Sequence, residues 1–270
     1  MDLQLSGKTA LVTGASNGIG AATARFLAAE GVSVGVHGRD PGRTAAVAED
    51  LRAAGVAAHG FTADLAQDGE ADRLADEALA ALGQVDILVC NAGGRAQLAP
   101  VGWEESSLEN WRATFESNLA YSVRLIQRLA PAMRERGWGR IVLVSSAAGL
   151  QPMGNQPDYG AVKAGMVSLA VSTSKWLRGS GVTCNAVSPG ATLTDQLRTY
   201  LGRLAPAKGW GDDWDEIERR AANEMMKIPA GRFGRPEQIA SMIAWLASPW
   251  GACVTGTNIH MDGGVIGTVT

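Results

Sequence analysis

Cysteine and histidine are scarce in this chain, with three of each among 270 residues. The cysteines, Cys90, Cys184 and Cys253, share no spacing, and each lies in or beside an apolar stretch. That excludes a disulfide framework and a zinc-type ligand pattern, and they read as small buried side chains. The histidines, His37, His59 and His260, are scattered, and no His, Cys or carboxylate cluster suggests a catalytic metal. Basic runs are missing and the formal net charge is -3, so there is no electrostatic reason to expect nucleic acid or an anionic membrane surface. No apolar run is long enough to span a bilayer, and a strand-like run follows soon after Met1-Asp2-Leu3-Gln4 with no signal-peptide pattern. A cytoplasmic protein is expected.

What is present is a single rhythm. Short β-branched runs at 9–13, 32–37, 57–61, 87–90, 141–145, 182–187 and 258–261 alternate with amphipathic stretches at about 19–30, 43–54, 70–82, 108–136, 159–178 and 236–247. Continuously apolar strands, each followed by a helix, signal an α/β fold with a parallel sheet covered on both faces. Right-handed crossovers make such a sheet doubly wound, with a ligand crevice at the carboxyl ends of its strands. The length suits one domain, residues 1–270. Only the segment 191–235 departs from the rhythm. In it Trp214, Ile217, Ala221 and Met225 recur at helical spacing opposite a charged side, which reads as a lid whose apolar stripe closes over the site.

The first strand runs into Thr13-Gly14-Ala15-Ser16-Asn17-Gly18-Ile19-Gly20. Glycines here allow a tight turn and close approach of a pyrophosphate, and the following helix presents its free N–H groups and positive dipole end to the anion. Further on, Tyr159 and Lys163 lie four residues apart on one helix face. A free tyrosine, with a pKa of about 10, is a poor proton shuttle near neutrality, and a nearby ammonium favours its phenolate. Ser146 follows a strand at the sheet's carboxyl edge, where its hydroxyl can bond a substrate carbonyl.

With Asp64-Leu65, Asn91-Ala92-Gly93, Asn118, Ser145-Ser146, Tyr159-Gly160-Ala161-Val162-Lys163, Ser188-Pro189-Gly190 and Asp262-Gly263-Gly264, these motifs recur in order and at matching spacing along essentially the whole chain. In this the sequence resembles the short-chain dehydrogenase/reductase family, in particular its 3-oxoacyl-acyl-carrier-protein reductase-like branch. The resemblance implies a Rossmann-like, doubly wound, seven-stranded parallel sheet and a homotetramer or homodimer. The tetramer would assemble through the helices at 108–136, with the apolar stripe Leu119, Val123, Ile126 and Leu129, and at 159–178, and through the segment ending in Thr270. It implies catalysis by Ser146, Tyr159 and Lys163, with Asn118 holding a water that links Lys163 to solvent, and with Ser145 turned into the fold or toward the cofactor. It implies cofactor contacts from Gly14, Ser16, Asn17, Gly18, Ile19 and Gly20 on the pyrophosphate side. Asp64 and Leu65 would flank adenine, Asn91, Ala92 and Gly93 would meet ribose, and Pro189, Gly190, Thr192 and Thr194 would lie on the nicotinamide side, with Tyr159 and Lys163 beside them.

The choice of cofactor rests on Gly38-Arg39-Asp40-Pro41. An acidic residue at the end of the second strand would bind the adenine ribose hydroxyls and repel a 2′-phosphate. By the resemblance that position is Gly38, which has no carboxylate, and Arg39 follows where NADP-preferring relatives place a cation. Asp40 before a proline reads as a helix N-cap. Asn17 stands where many NADP-preferring relatives carry arginine. NADP(H) is expected, and a carboxylate placed at Gly38 is expected to turn preference toward NADH. The expected function is hydride transfer between NADP(H) and a small-molecule carbonyl or secondary alcohol. An NAD-dependent alcohol or sugar dehydrogenase working oxidatively and a non-catalytic dinucleotide sensor are the alternatives. The substrate stays open among a 3-oxoacyl thioester, a polyketide-like ketone, a sugar and a steroid-like alcohol, with Arg95 available to an anionic one.

Overall fold

The computed structural model describes residues 1–94 and 102–267; Arg95 and Thr270 lie outside them. Among the described residues the strands are β1 (Thr9–Val12), β2 (Ser33–Gly38), β3 (Ala58–Thr62), β4 (Ile87–Cys90), β5 (Gly139–Val144), β6 (Val182–Pro189) and β7 (Asn258–Met261). They pair in parallel in the order β3-β2-β1-β4-β5-β6-β7. The helices are α1 (Gly18–Ala29), α2 (Pro41–Ala53), α3 (Glu70–Leu82), α4 (Leu108–Phe115), α5 (Tyr121–Glu135), α6 (Pro157–Trp176), α7 (Asp195–Lys208), α8 (Trp214–Arg220) and α9 (Pro236–Ala247).

The apolar strand runs follow from burial on both faces. In β1, Ala10 and Val12 enter the layer that holds Leu27 of α1 and Ile243 of α9. Leu11, between them, enters the opposite layer with Leu74 of α3 and Leu125 of α5. Alternation with period two then selects a face, not a polarity. Strand order reverses between β1 and β4, so the crevice opens between the turns that leave these two strands, at Thr13 and Asn91.

Helix ends obey local rules. Asp40 caps α2 by accepting from Arg43 N at 3.0 Å, with Pro41 in the first turn. The 108–136 stretch, expected as one helix, contains a π turn at Glu116–Ala120. Asn118 Nδ2 donates to Thr114 O at 2.8 Å, taking a carbonyl the backbone ladder would otherwise use.

Between 191 and 235 lie α7, α8 and a further π turn, Ala221–Met225, around a small core of Leu201, Ala205, Trp210, Ile217, Ala221 and Phe233. Trp214 and Met225 pack against that core. The stripe expected to close over the site is thus spent on the segment's own interior, since short helices off the sheet need a core of their own. Among the described residues no helix is long and apolar enough to cross a membrane.

Candidate active site

The carboxyl end of β5 brings the hydroxyl, phenol and amine groups together. Ser145 Oγ donates to Lys163 O at 2.7 Å, so this serine points into the fold and ties the strand end to α6. The half-buried Ser146 caps the short turn Ala147–Gly149, its Oγ accepting from Ala148 N at 3.2 Å. Gly149 lets α6 lie against that turn: a Cβ there would stand 2.7 Å from the Lys163 carbonyl carbon. Lys163 is buried, with Nζ donating to Val144 O at 2.9 Å and lying 3.4 Å from Met166 Sδ. Its Nζ is 5.6 Å from the centroid of the half-buried Tyr159 ring. Burial pushes the Lys163 amine down to about 7. Residue type alone suggests a permanent ammonium; in this setting the charge depends on acceptors or negative charge that a ligand or a phenolate brings.

The glycine loop packs directly on the turn after β4. A Cβ on Gly14 would come 2.8 Å from Ala92 Cα, and one on Gly20 would run into Gly14 O. Asn91 Nδ2 donates to Thr13 O and Gly14 O at 3.0 and 3.1 Å. Thr13 Oγ1 accepts from Asn91 N and Ala92 N, both at 2.9 Å, and Tyr121 donates to Ala92 O at 2.7 Å. The N-terminus of α1 has no side-chain cap, because Asn17 makes no capping bond, and its first turn holds no acidic residue. An uncapped helix start behind a close-packed glycine loop fits an anionic diphosphate. From the opposite side, a Cβ on Gly18 would lie 3.2 Å from Thr194 Cγ2. The segment after β6 therefore reaches the glycine loop. Thr194 caps α7 through Leu197 N at 3.4 Å, and Thr192 Oγ1 donates to Gly190 O at 3.2 Å.

Residues 8–201 match the family model for "short chain dehydrogenase". The chain is a short-chain dehydrogenase/reductase. It is 33% identical over 267 residues to the 3-oxoacyl-[acyl-carrier-protein] reductase of Aquifex aeolicus, covering 98% of this chain and 100% of the relative. It is 36% identical over 264 residues to the D-threitol dehydrogenase of Mycolicibacterium smegmatis, with 97% and 94% covered. The solved structure of L-sorbose reductase from Gluconobacter frateurii, complexed with NADPH and L-sorbose, superposes with a TM-score of 0.92 at 30% identity and covers 100% of both chains. The enzyme is an oxidoreductase with a Rossmann-like sheet, similar to the 3-oxoacyl reductase branch among others.

In this dehydrogenase/reductase several of the expected site residues also hold the local fold together. Asn118 is fully buried and its amide is committed to backbone: Nδ2 donates to Gly94 O at 2.7 Å as well as Thr114 O, and Oδ1 accepts from Gly94 N at 3.0 Å. Its main-chain carbonyl accepts from Ser122 Oγ at 2.9 Å and keeps a second lone pair for a further donor such as a water. Asn91 spends its amide on the glycine loop, and Leu65 turns its side chain into the core. Asp64 is exposed, with Oδ1 accepting from Ala66 N at 3.2 Å.

At the end of β2, a Cβ on Gly38 would press on Thr44 Oγ1 and stand 2.7 Å from Ser16 Cβ. Ser16 of the glycine loop occupies the place a side chain at 38 would need. Arg39 beside it is exposed and makes no hydrogen bond or ion pair among the described residues.

No sequence motif marks His37 or Tyr121, which both bond the crevice backbone. The His37 ring lies 3.3 Å (Nδ1) from Gly14 N and 3.1 Å (Nε2) from Ala63 O. The available signal was its place as the penultimate residue of β2, next to the strand that feeds the glycine loop.

Proposed function

We propose that the enzyme is an NADP(H)-dependent ketoreductase that interconverts a small-molecule carbonyl and a secondary alcohol. The observation that carries this reading is the convergence of Ser146, Tyr159 and buried Lys163 at the carboxyl end of β5, beside an uncapped glycine-loop helix. Reduced nicotinamide, when bound in the crevice, would supply the hydride that the carbonyl carbon accepts. The Ser146 hydroxyl donates to the carbonyl oxygen and orients it, and Tyr159 gives that oxygen its proton as charge develops. A charged Lys163 favours the phenolate left behind. Water bound at the Asn118 carbonyl, on the π turn, would return a proton to Lys163.

Gly14, Ser16, Asn17, Gly18, Ile19 and Gly20 would hold the diphosphate, with the backbone of Leu65, Ala92 and Gly93 along the adenine and ribose side. Pro189, Gly190, Thr192 and Thr194 would hold the nicotinamide side, under a lid formed by 191–235. NADP(H) is favoured because Arg39 is an uncommitted guanidinium next to a Gly38 that has no space for a competing carboxylate. The NADPH of the sorbose reductase complex supports this choice. The likeness to D-threitol dehydrogenase favours, as a second reading, oxidation of a polyol. Steady-state rates with NADPH and NADH, and with the oxidised forms, over a panel of 3-oxoacyl thioesters, ketoses, polyols and cyclic ketones separate the two. Turnover of none of them with either cofactor refutes both.

We also assign self-association to the face formed by α4 and α6. Ile126 and Leu129, expected in an outward stripe, are buried in the protomer core. The groove between these helices is instead lined by Leu108, Trp111, Phe115, Leu119, Ala161 and Val162, with Leu108 74% and Phe115 44% exposed. The family's homotetramer is the occupant that fits, a two-fold contact in which each groove covers the other. Cys253, expected like Cys90 and Cys184 to be a small buried side chain, is instead exposed, and its free thiol suits a reducing cytoplasm.

A further inference from the structure

His37 is a titratable side chain in the crevice wall that the chemistry above does not use. It is 2% exposed, at the carboxyl end of β2, and touches two separate parts of the dinucleotide crevice. Ala63 O can only accept, so the ring proton sits on Nε2 and Nδ1 is left to accept from Gly14 N. The main chain reinforces both contacts. Ala15 N donates to His37 O at 2.7 Å, and Ala63 N to Gly38 O at 3.4 Å. Gly14 opens the glycine loop, while Ala63 immediately precedes Asp64 and Leu65 on the adenine side. One neutral ring, with a donor on one edge and an acceptor on the other, therefore spans from the diphosphate loop to the adenine turn.

We propose that His37 is a positioning residue for the dinucleotide, its imidazole setting the glycine loop and the β3 turn as one preorganised unit. The inference rests on the dinucleotide reading of this crevice. Two buried or half-buried backbone groups, the Gly14 amide and the Ala63 carbonyl, need partners here, and an aliphatic side chain of similar size supplies neither. The surroundings hold the ring neutral. Burial is the main cause, Arg39 and Arg73 add to it, and the Ala63 carbonyl and Asp64 oppose it, with the result that the ring is pushed down to about 4. Glu70, paired with Arg73 in the first turn of α3, is the other charge that senses it. At neutral pH Nδ1 stays an acceptor. Were it protonated, its N–H would face the Gly14 N–H.

The test measures NADPH affinity by fluorescence at pH 7 in the full-length wild type and in His37→Leu, His37→Asn and His37→Gln, alongside kcat at saturating cofactor. His37→Leu is expected to weaken NADPH binding about three- to ten-fold, the size of one or two lost hydrogen bonds. Its kcat at saturation should stay within about two-fold of wild type, because ordering of the loop acts on binding rather than on the bound complex. Asn places an acceptor where Nδ1 stands and should restore most of the affinity. Gln places its amide nearer Nε2 and should restore less. In the protein without cofactor, ¹⁵N spectra should show His37 protonated on Nε2 alone, and the Gly14 amide should exchange faster in His37→Leu than in wild type. Unchanged NADPH affinity in His37→Leu overturns the proposal, as does a proton on Nδ1 at pH 7. If the Leu variant fails to fold, the order Asn tighter than Gln carries the test, and the reverse order overturns it. Wild type that binds neither NADPH nor NADH would instead refute the dinucleotide reading itself.

Discussion

Replacing Arg39 with alanine probes the cofactor assignment most directly. The two nicotinamide cofactors differ by one 2′-phosphate, and at the end of β2 the neighbouring groups are Gly38, Ser16 and the exposed Arg39. A charge-assisted hydrogen bond is worth roughly 1.5–3 kcal/mol, which corresponds to about ten- to a hundred-fold in affinity. Exposure of Arg39 and screening by salt place the expected loss for NADPH near the lower figure, about ten-fold. NADH, lacking the phosphate, should change by less than about two-fold. The assay is kcat/KM for both cofactors in wild type and variant at low and high salt, and the NADPH preference of wild type should shrink as salt rises. Equal losses for both cofactors would make Arg39 structural, and a wild-type preference for NADH would refute the assignment. Residue chemistry alone also suggests Gly38→Asp as a switch to NADH, but the structure reverses that expectation. A Cβ at 38 meets Ser16 Cβ at 2.7 Å and presses on Thr44 Oγ1, so the substitution displaces the glycine loop. It should weaken both cofactors rather than exchange them.

Tyr159→Phe should lower kcat at least a hundred-fold, on the order expected for loss of a positioned proton donor, while NADPH affinity by fluorescence changes little; near wild-type turnover would remove Tyr159 from its role. Lys163→Ala should lose both turnover and affinity, and full cofactor affinity in that variant would deny Lys163 a place on the nicotinamide side of the cofactor. Phe115→Glu, charging the exposed α4–α6 groove, should yield a smaller species by light scattering at micromolar concentration, and a wild type already monomeric there would refute the assembly. His37 has a folded pKa depressed from 6.5 to about 4, so only the unfolded chain takes up its proton as pH falls between those values. Its contribution to stability is complete above 6.5 and is lost toward 4, about 3 kcal/mol over the window. Urea unfolding at pH 7 and pH 5 should show a steeper acid loss in wild type than in His37→Asn, and equal slopes would contradict the burial of a neutral ring.

The sequence by itself determined the sheet, because seven apolar runs separated by helical periods have few ways to bury two faces each. It also placed Tyr159 and Lys163 on one side of a helix, since a spacing of four residues does so in any α-helix. The Asp40-Pro41 start of α2 was legible for the same local reason. What only the tertiary structure decided depends on groups far apart in the chain. Asn118 is expected only to hold a water near Lys163; that its amide also pairs with Gly94 and Thr114, at a π turn, depends on a chain segment the local sequence does not name. Trp214, Ile217, Ala221 and Met225 show a helical stripe, but a stripe does not say which apolar surface it meets, and here it meets the segment's own core. His37 looked like a scattered histidine because its partners, Gly14 and Ala63, lie on two other chain segments that only the β1–β2–β3 pairing brings beside it. Periodicity fixes which way a side chain faces; long-range pairing of backbone donors and acceptors fixes what it does there.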